Sequence, residues 1–327
     1  MVISIFREPI FPKMKNKFSL NGALMGLVFI YCQLSFGQIQ PSINQTWSRW
    51  DVVRTTVLTV DDDAKAIIER PWKNPNRTAN AVKLIGLIAT DYQTTSYFQQ
   101  NIEPLDVYLK PYISFPAIFD QTPFLRRATA GTDGYMYTSV TAMYAAGLLT
   151  GNQKLQEAGT LTVKAVVESY VISHLLLKTT IARNRPARPL GTIELDHDSQ
   201  YPFVQSPYDF FNWNKPDLGS DALGTGFPSY HATMYFAVAS TMSHVYNDSW
   251  VPYVLSCGAL LYDIRGHNHW VSELVSGAVI GHFVGKVVYE NYHQEKERKQ
   301  SERSVSNYSN TKYEWGLGQS FGTFGPS

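Results

Sequence analysis

The chain has 327 residues, 44% of them hydrophobic and 13% aromatic, enough for one large core or two smaller ones. Charged residues make up 17%, and Lys plus Arg (28) balances Asp plus Glu (27) for a net charge of +1. This balance excludes attraction to nucleic acid or to an anionic membrane surface through overall charge, so any anion site must be built locally.

A leader segment comes first. After Met14, Lys15 and Lys17 form a basic region, Ala23 to Ile30 is an apolar run, and Ser35-Phe36-Gly37 places small residues before a cut at Gln38. That order is the signature of an export signal, and the apolar run is too short to span a bilayer comfortably. A periplasmic or secreted protein is therefore expected. Of two cysteines, Cys32 lies in this leader and Cys257 is left alone in the mature chain. No intrachain disulfide can form, and Cys257, inside an apolar segment, reads as a core residue.

Residues 38–125 are interrupted by Pro71, Pro75, Pro104, Pro111, Pro116 and Pro123, which predicts short helices and loops. Tyr135 to Leu149 is apolar and stops at Gly151, as a helix does. Residues 153–183 carry a polar stripe at Glu157, Thr160, Lys164 and Glu168, the spacing of an amphipathic helix. Val171 to Leu177 is apolar nearly all round and is expected to be buried. Residues 187–227, rich in Pro, Gly, Asp and Asn, form a long loop, and long ordered loops are usually functional. Its aromatic residues (Tyr201, Phe203, Tyr208, Phe210, Phe211 and Trp213) suit loop packing, or the tail of an apolar substrate. Helices follow over 229–246, 250–262 and 270–293, then a charged, solvated helix end and a disordered tail. With few period-two stretches and no clean apolar run of about 20 residues after the leader, the chain reads as an all-α helical bundle without an integral membrane span.

Three segments carry the chemistry. Lys178 and Arg185 of Lys178-Thr-Thr-Ile-Ala-Arg-Asn-Arg185-Pro186 are seven apart, two turns along one helical face. Paired cations on a buried face are costly unless they meet an anion. In Gly226-Phe-Pro-Ser229-Tyr-His231, Ser229 suits an N-cap. The helix that it opens would present free N–H groups and a positive dipole end to an oxyanion. In Arg265-Gly-His267-Asn-His269-Trp-Val-Ser-Glu273, His269 and Glu273 are four apart, so the carboxylate can fix the ring tautomer and leave the other nitrogen as a nucleophile. Taken singly, each has a plainer reading: cations reaching solvent, a capped helix with an incidental histidine, or a surface pair. His267 and His269 lack a clear third ligand for a metal.

Together the segments resemble the type-2 phosphatidic acid phosphatase superfamily, which includes bacterial acid phosphatases and vanadium haloperoxidases. The family pattern is Lys-x6-Arg-Pro, then Pro-Ser-Gly-His, then Ser-Arg-x5-His-x3-Asp. It is matched at Lys178, Arg185 and Pro186, at Pro228, Ser229 and His231, and at His269. The resemblance covers roughly residues 130–290. It implies a helical bundle of that type with a less regular N-terminal region. It further implies that His269 attacks phosphorus, that His231 acts as acid and then base, and that Glu273 orients His269. Lys178, Arg185, Ser229, Tyr230 and Arg265 would bind the phosphoryl group. No metal or other cofactor is implied, and the substrate is a phosphorylated small molecule or lipid. The same residue types would hold vanadate in a haloperoxidase, or an anion in a degenerate, non-catalytic member.

The sequence departs from the family pattern at three places: Tyr230 replaces the glycine, Glu273 replaces the aspartate, and Asp263 occupies the arginine position, with Arg265 two residues later. On a continuing helix that shift turns Arg265 by about 200°. The expected organisation is a leader over 1–37, an irregular region over 38–125, the catalytic bundle over 126–293 and a polar tail over 294–327.

Overall fold

The computed structural model describes residues 47–104, 133–191, 203–213 and 225–320, with all their side chains except those of 133–135, 138, 262–267 and 306–320. The expected leader lies outside these residues, as do Tyr201, Pro111, Pro116 and Pro123.

Regular helices fill the first part of the region where loops and short helices are expected: α1 (Arg49–Leu58), α2 (Val60–Lys73), α3 (Arg77–Ala89) and α4 (Asp91–Asn101). Local chemistry explains them. Ser48 and Asp51 form a reciprocal capping box at the start of α1. Helix α2 opens on Asp61, Asp62 and Asp63 and closes with Arg70 and Lys73, each charge set against the favourable end of the helix dipole. Pro71 falls in the last turn of α2.

Helix α5 (Asp133–Thr150) stops at Gly151, whose φ of +70° suits glycine. Helix α6 (Gln153–Ser169) continues through a π-helical segment, Tyr170–Leu177, into the short α7 (Lys178–Ile181). Helices α8 (Tyr230–Val245), α9 (Val251–His267) and α10 (Val271–Ser320) complete the bundle. Among the described residues the only extended pairings are isolated bridges, Asn184 with Thr225 and Pro186 with Val204. The fold is all-α.

The central packing is α8 against α10. Gly277, Gly281 and Gly285 recur every fourth residue on α10. A Cβ at these positions would lie 2.5 Å from the Ser229 carbonyl oxygen, 2.0 Å from that of Thr233 and 2.4 Å from that of Ala237. The two backbones therefore touch along three turns, and this contact sets the distance between the second and third motif segments. Gly281→Ala is expected to destabilise the protein by about 1–3 kcal/mol, because the obstructing atoms are backbone and cannot swing aside. Gly86→Ala on α3, where a Cβ meets nothing within 4 Å, should be neutral or mildly stabilising. Equal urea midpoints for the two variants would refute the close-packing account.

The polar stripe of α6 turns inward. Glu157 and Lys164 are buried, while Val163 and Val167 are exposed. Lys164 pairs with buried Asp63 of α2 and donates to Thr59 (2.7 Å), and Asn291 of α10 also donates to Asp63 (2.7 Å). Helix α2 supplies Asp63 to Lys164, and α10 supplies Lys296 to Glu157, so each buried charge meets a partner. The segment expected to be buried after α6 is partly exposed at Val171 and Leu176, since the inward polar stripe leaves its apolar side outermost. Cys257 is also exposed, not in the core: α9 turns it outward while Ser256 faces α8 and donates to the Tyr235 carbonyl (2.9 Å).

Gln153–Ile181 and Val271–Val305 are long and apolar enough to cross a membrane by length and composition, with 44% and 56% of their apolar windows buried inside the bundle. The expected absence of a spanning segment is therefore not supported. Helix α10 also runs to Ser320, through the tail expected to be disordered. Its charged stretch is tied down: Lys296 pairs with Glu157 (2.5 Å), Lys299 donates to Thr55 (3.0 Å), and Arg303 pairs with Asp51 (2.6 Å).

Candidate active site

The first motif does not keep Lys178 and Arg185 on one helical face. Helix α7 ends at Ile181, and Ala182 adopts a left-handed conformation (φ 43°), which turns the chain into an extended segment through Arg183, Asn184 and Arg185. Loop backbone flanks this segment on both sides. The Gly226 N–H donates to the Arg183 carbonyl (2.8 Å), that of Asn184 to Asp209 (3.0 Å), and that of Val204 to Arg185 (3.0 Å). Val204, Asp209 and Gly226 of the 187–227 loop thus help to build the site. Lys178 and Arg185 are both buried.

The second motif starts α8 as expected. Ser229 is the N-cap, its Oγ accepting from the Ala232 N–H (3.4 Å). Its own N–H donates to the Glu273 carbonyl (3.0 Å), which joins the second motif to the third. His231, buried in the first turn, lies against Tyr230 (ring centroids 5.4 Å apart) and Tyr235 (6.2 Å). The Tyr230 side chain enters an aromatic cluster with Tyr170 and His174 of the π-helical segment. Its φ is not positive, so tyrosine meets no backbone strain at the family's glycine position and its N–H keeps an ordinary helical direction.

The third motif carries the central pair. Left-handed Asn268 (φ 42°) ends α9, and His269 and Trp270 lead into α10. His269 Nδ1 lies 2.8 Å from Glu273 Oε2, with both residues buried. Glu273 Oε2 also accepts the Trp270 N–H (3.2 Å), and Trp270 Nε1 donates to the Asn184 carbonyl (3.0 Å). When Glu273 is ionised, this contact takes Nδ1–H and Nε2 is the lone-pair nitrogen of the ring. Burial pushes the Glu273 carboxyl up to about 8; Arg183 and then Arg185 oppose that rise, and Asp91 adds to it. The extra methylene of Glu273 is accommodated by Gly226, where a Cβ would lie 2.2 Å from Oε2.

Arg265 and Asp263 lie in α9, whose helix continues to His267; their side chains, and that of His267, are outside the described residues. Among the described residues no cluster of three metal-ligating side chains occurs.

Three residues at the site escaped the sequence reading: Arg183, Asp91 and Ser272. Arg183 stands between Lys178 and Arg185, a third cation in the first motif, and could have been flagged there. Asp91 lies far upstream in sequence and carries no local signal.

Three segments distant in sequence thus meet through main-chain bonds around a buried histidine–carboxylate pair and buried cations, an arrangement suited to phosphoryl groups. Residues 159–297 match the family model described as the PAP2 superfamily, the same superfamily that the three motif segments resemble. Phosphatase-type chemistry on phosphorylated substrates is supported at that level. No curated protein and no solved structure matches the chain.

Gly226→Ala is expected to displace the Glu273 carboxylate and to lower kcat by about 10²-fold, with the helical content retained. A steady-state assay with a circular dichroism spectrum checks this. Parental kcat in the folded variant would mean that the carboxylate has room to spare.

Proposed function

We propose that the chain is an exported, metal-independent phosphatase that hydrolyses phosphate monoesters, of small molecules or lipids, through a phosphohistidine. The observation carrying this reading is the 2.8 Å contact between His269 Nδ1 and buried Glu273. It supports the Nδ1–H tautomer that leaves Nε2 to attack.

In the first step Nε2 of His269 forms the N–P bond, the ester P–O bond breaks, and His231 gives its proton to the departing oxygen. In the second, His231 takes a proton from water as that water attacks phosphorus. The N–P bond breaks, and inorganic phosphate and neutral His269 are released. Acid–base help of this kind contributes about 10²–10⁴-fold. Lys178, Arg185, Ser229 and the Tyr230 N–H stabilise the phosphoryl oxygens as charge redistributes, with Arg265 as a further cation.

The test is hydrolysis of an aryl phosphate by the purified mature chain in EDTA, with rapid quenching to trap phosphoenzyme. Turnover accompanied by an acid-labile, alkali-stable phosphoryl group on the protein is expected. Absence of turnover from pH 4 to 9, or turnover lost to EDTA and restored by metal, would overturn the proposal.

A further inference from the structure

Asp91, the first residue of α4, lies outside the PAP2 match and reaches into the site. It is fully buried, as are Arg183, Ser272 and Glu273. Asp91 Oδ1 accepts the Ser272 N–H (2.8 Å); Oδ2 accepts Arg183 Nη2 (2.8 Å) and the Ser272 hydroxyl. One turn along α4, Thr95 Oγ1 accepts the Val271 N–H (3.1 Å). The first N–H groups of a helix have no partner within it. Here α4 takes two of those at the start of α10, the helix that bears Glu273 and that follows His269. Helix α10 is therefore capped by a different part of the chain.

The same aspartate fixes Arg183. The guanidinium donates to the Pro207 carbonyl from Nε (3.0 Å) and Nη2 (2.6 Å), and to Ser272 Oγ from Nη1 (2.7 Å). Its carbon lies 4.9 Å from the Phe210 ring centroid and 5.0 Å from that of Trp270. With its donors engaged and two aromatic rings against it, the group has one position. From there Nη1 stands 3.8 Å from Glu273 Oε1, an oxygen that accepts no hydrogen bond among the described residues. That distance is too long for a hydrogen bond and close enough for a strong Coulomb contact where water is excluded.

We propose that Asp91 and Arg183 are positioning residues for the His269–Glu273 pair: Asp91 locks the guanidinium in place, and the guanidinium, held against the Glu273 carboxyl, favours the carboxylate form that accepts Nδ1–H. The catalytic consequence rests on the phosphohistidine reading above.

The charged and titratable groups around Glu273 come from every element packed on it: His269 ahead of α10, Arg183 and Arg185 from the extended segment, and Asp91 from α4. Burial favours the protonated acid, and Arg183 is the largest influence against it. A protonated Glu273 would donate to Nδ1, move the ring proton to Nε2 and remove the nucleophile. Loss of Arg183 should therefore shift the acidic limb of the activity profile to higher pH.

Arg183→Met alone would leave Asp91 buried without its counter-ion and threatens folding, so the informative variant is Asp91→Asn with Arg183→Met, beside Arg183→Lys. Two measurements are made on each folded protein. One is the pH profile of kcat/KM for an aryl phosphate. The other is the 15N imidazole spectrum of His269 without substrate, assigned by its loss in His269→Ala.

In the double variant the acidic limb is expected to rise by at least about one pH unit, and the Nδ1–H signature of His269 to appear only at a correspondingly higher pH than in the parent. Arg183→Lys, which keeps the charge, should shift both by less. A folded double variant with the parent's limb and the parent's His269 spectrum would overturn the proposal, as would Arg183→Lys shifting as far as the double variant. If the parent itself has no turnover, the phosphatase reading fails, and the His269 spectrum alone decides the role of Asp91 and Arg183.

Discussion

Replacing His269 with alanine is expected to lower turnover of an aryl phosphate by at least about 10⁴-fold, because no other side chain can take over the attack. The bundle should remain folded. The ring bonds to Glu273, and Glu273 Oε2 keeps its other bond, to the Trp270 N–H, so the variant opens a small cavity without stripping the carboxylate of every partner. A change in stability of about 1–2 kcal/mol is expected. The decisive comparison is the quenched phosphoenzyme: present in the parent, absent in the variant, with matching circular dichroism spectra. A variant that hydrolyses at the parental rate would end the phosphohistidine mechanism.

Glu273→Gln should act in two directions at once. The amide oxygen can still accept Nδ1–H, so activity should fall without disappearing, by about 10²–10³-fold. Stability should change with pH in the opposite sense. In the folded protein the Glu273 carboxyl is pushed up to about 8 by burial, far above its value in an unfolded chain. Between those two values the folded state holds a proton that the unfolded state has released. The carboxyl therefore costs the fold increasing stability as pH rises from about 4.5 to about 8. Glutamine carries no such penalty. The melting temperature of the variant, measured against the parent, should rise from pH 5 to pH 9. A difference that is flat across this range would mean that Glu273 does not titrate within the fold.

How much of this was legible in the sequence depended on the range of the contacts involved. The three motif segments could be read because their spacings are local: Ser229 at a helix start, and His269 and Glu273 one turn apart. The relation of Lys178 to Arg185 was misread, because seven residues imply two helical turns only if the helix continues, and Ala182 ends it in a left-handed conformation that nothing in its side chain announces. The polar stripe of α6 was visible as a period, but periodicity does not say which side faces out. Asp63 and Asn291, both distant in sequence, decide that Lys164 points inward. The Gly277, Gly281 and Gly285 series has meaning only against the α8 backbone. Asp91 stayed hidden for the same reason: its partners Arg183 and Ser272 are 92 and 181 residues away.

The ties between the end of α10 and the first helices bear on the order in which the protein can form. Arg303 meets Asp51 across 252 residues, Lys299 meets Thr55 across 244, and Asn291 meets Asp63 across 228. Contacts between residues so far apart in sequence are entropically expensive to close and form late. During synthesis Asp51 and Glu157 emerge long before Arg303 and Lys296, the basic residues that α10 brings to them. They cannot be buried until those partners arrive, so the outer helical layer stays open until the last helix docks. Helix α10 also brings Glu273, so closure of that layer and assembly of the phosphoryl site await the same late event.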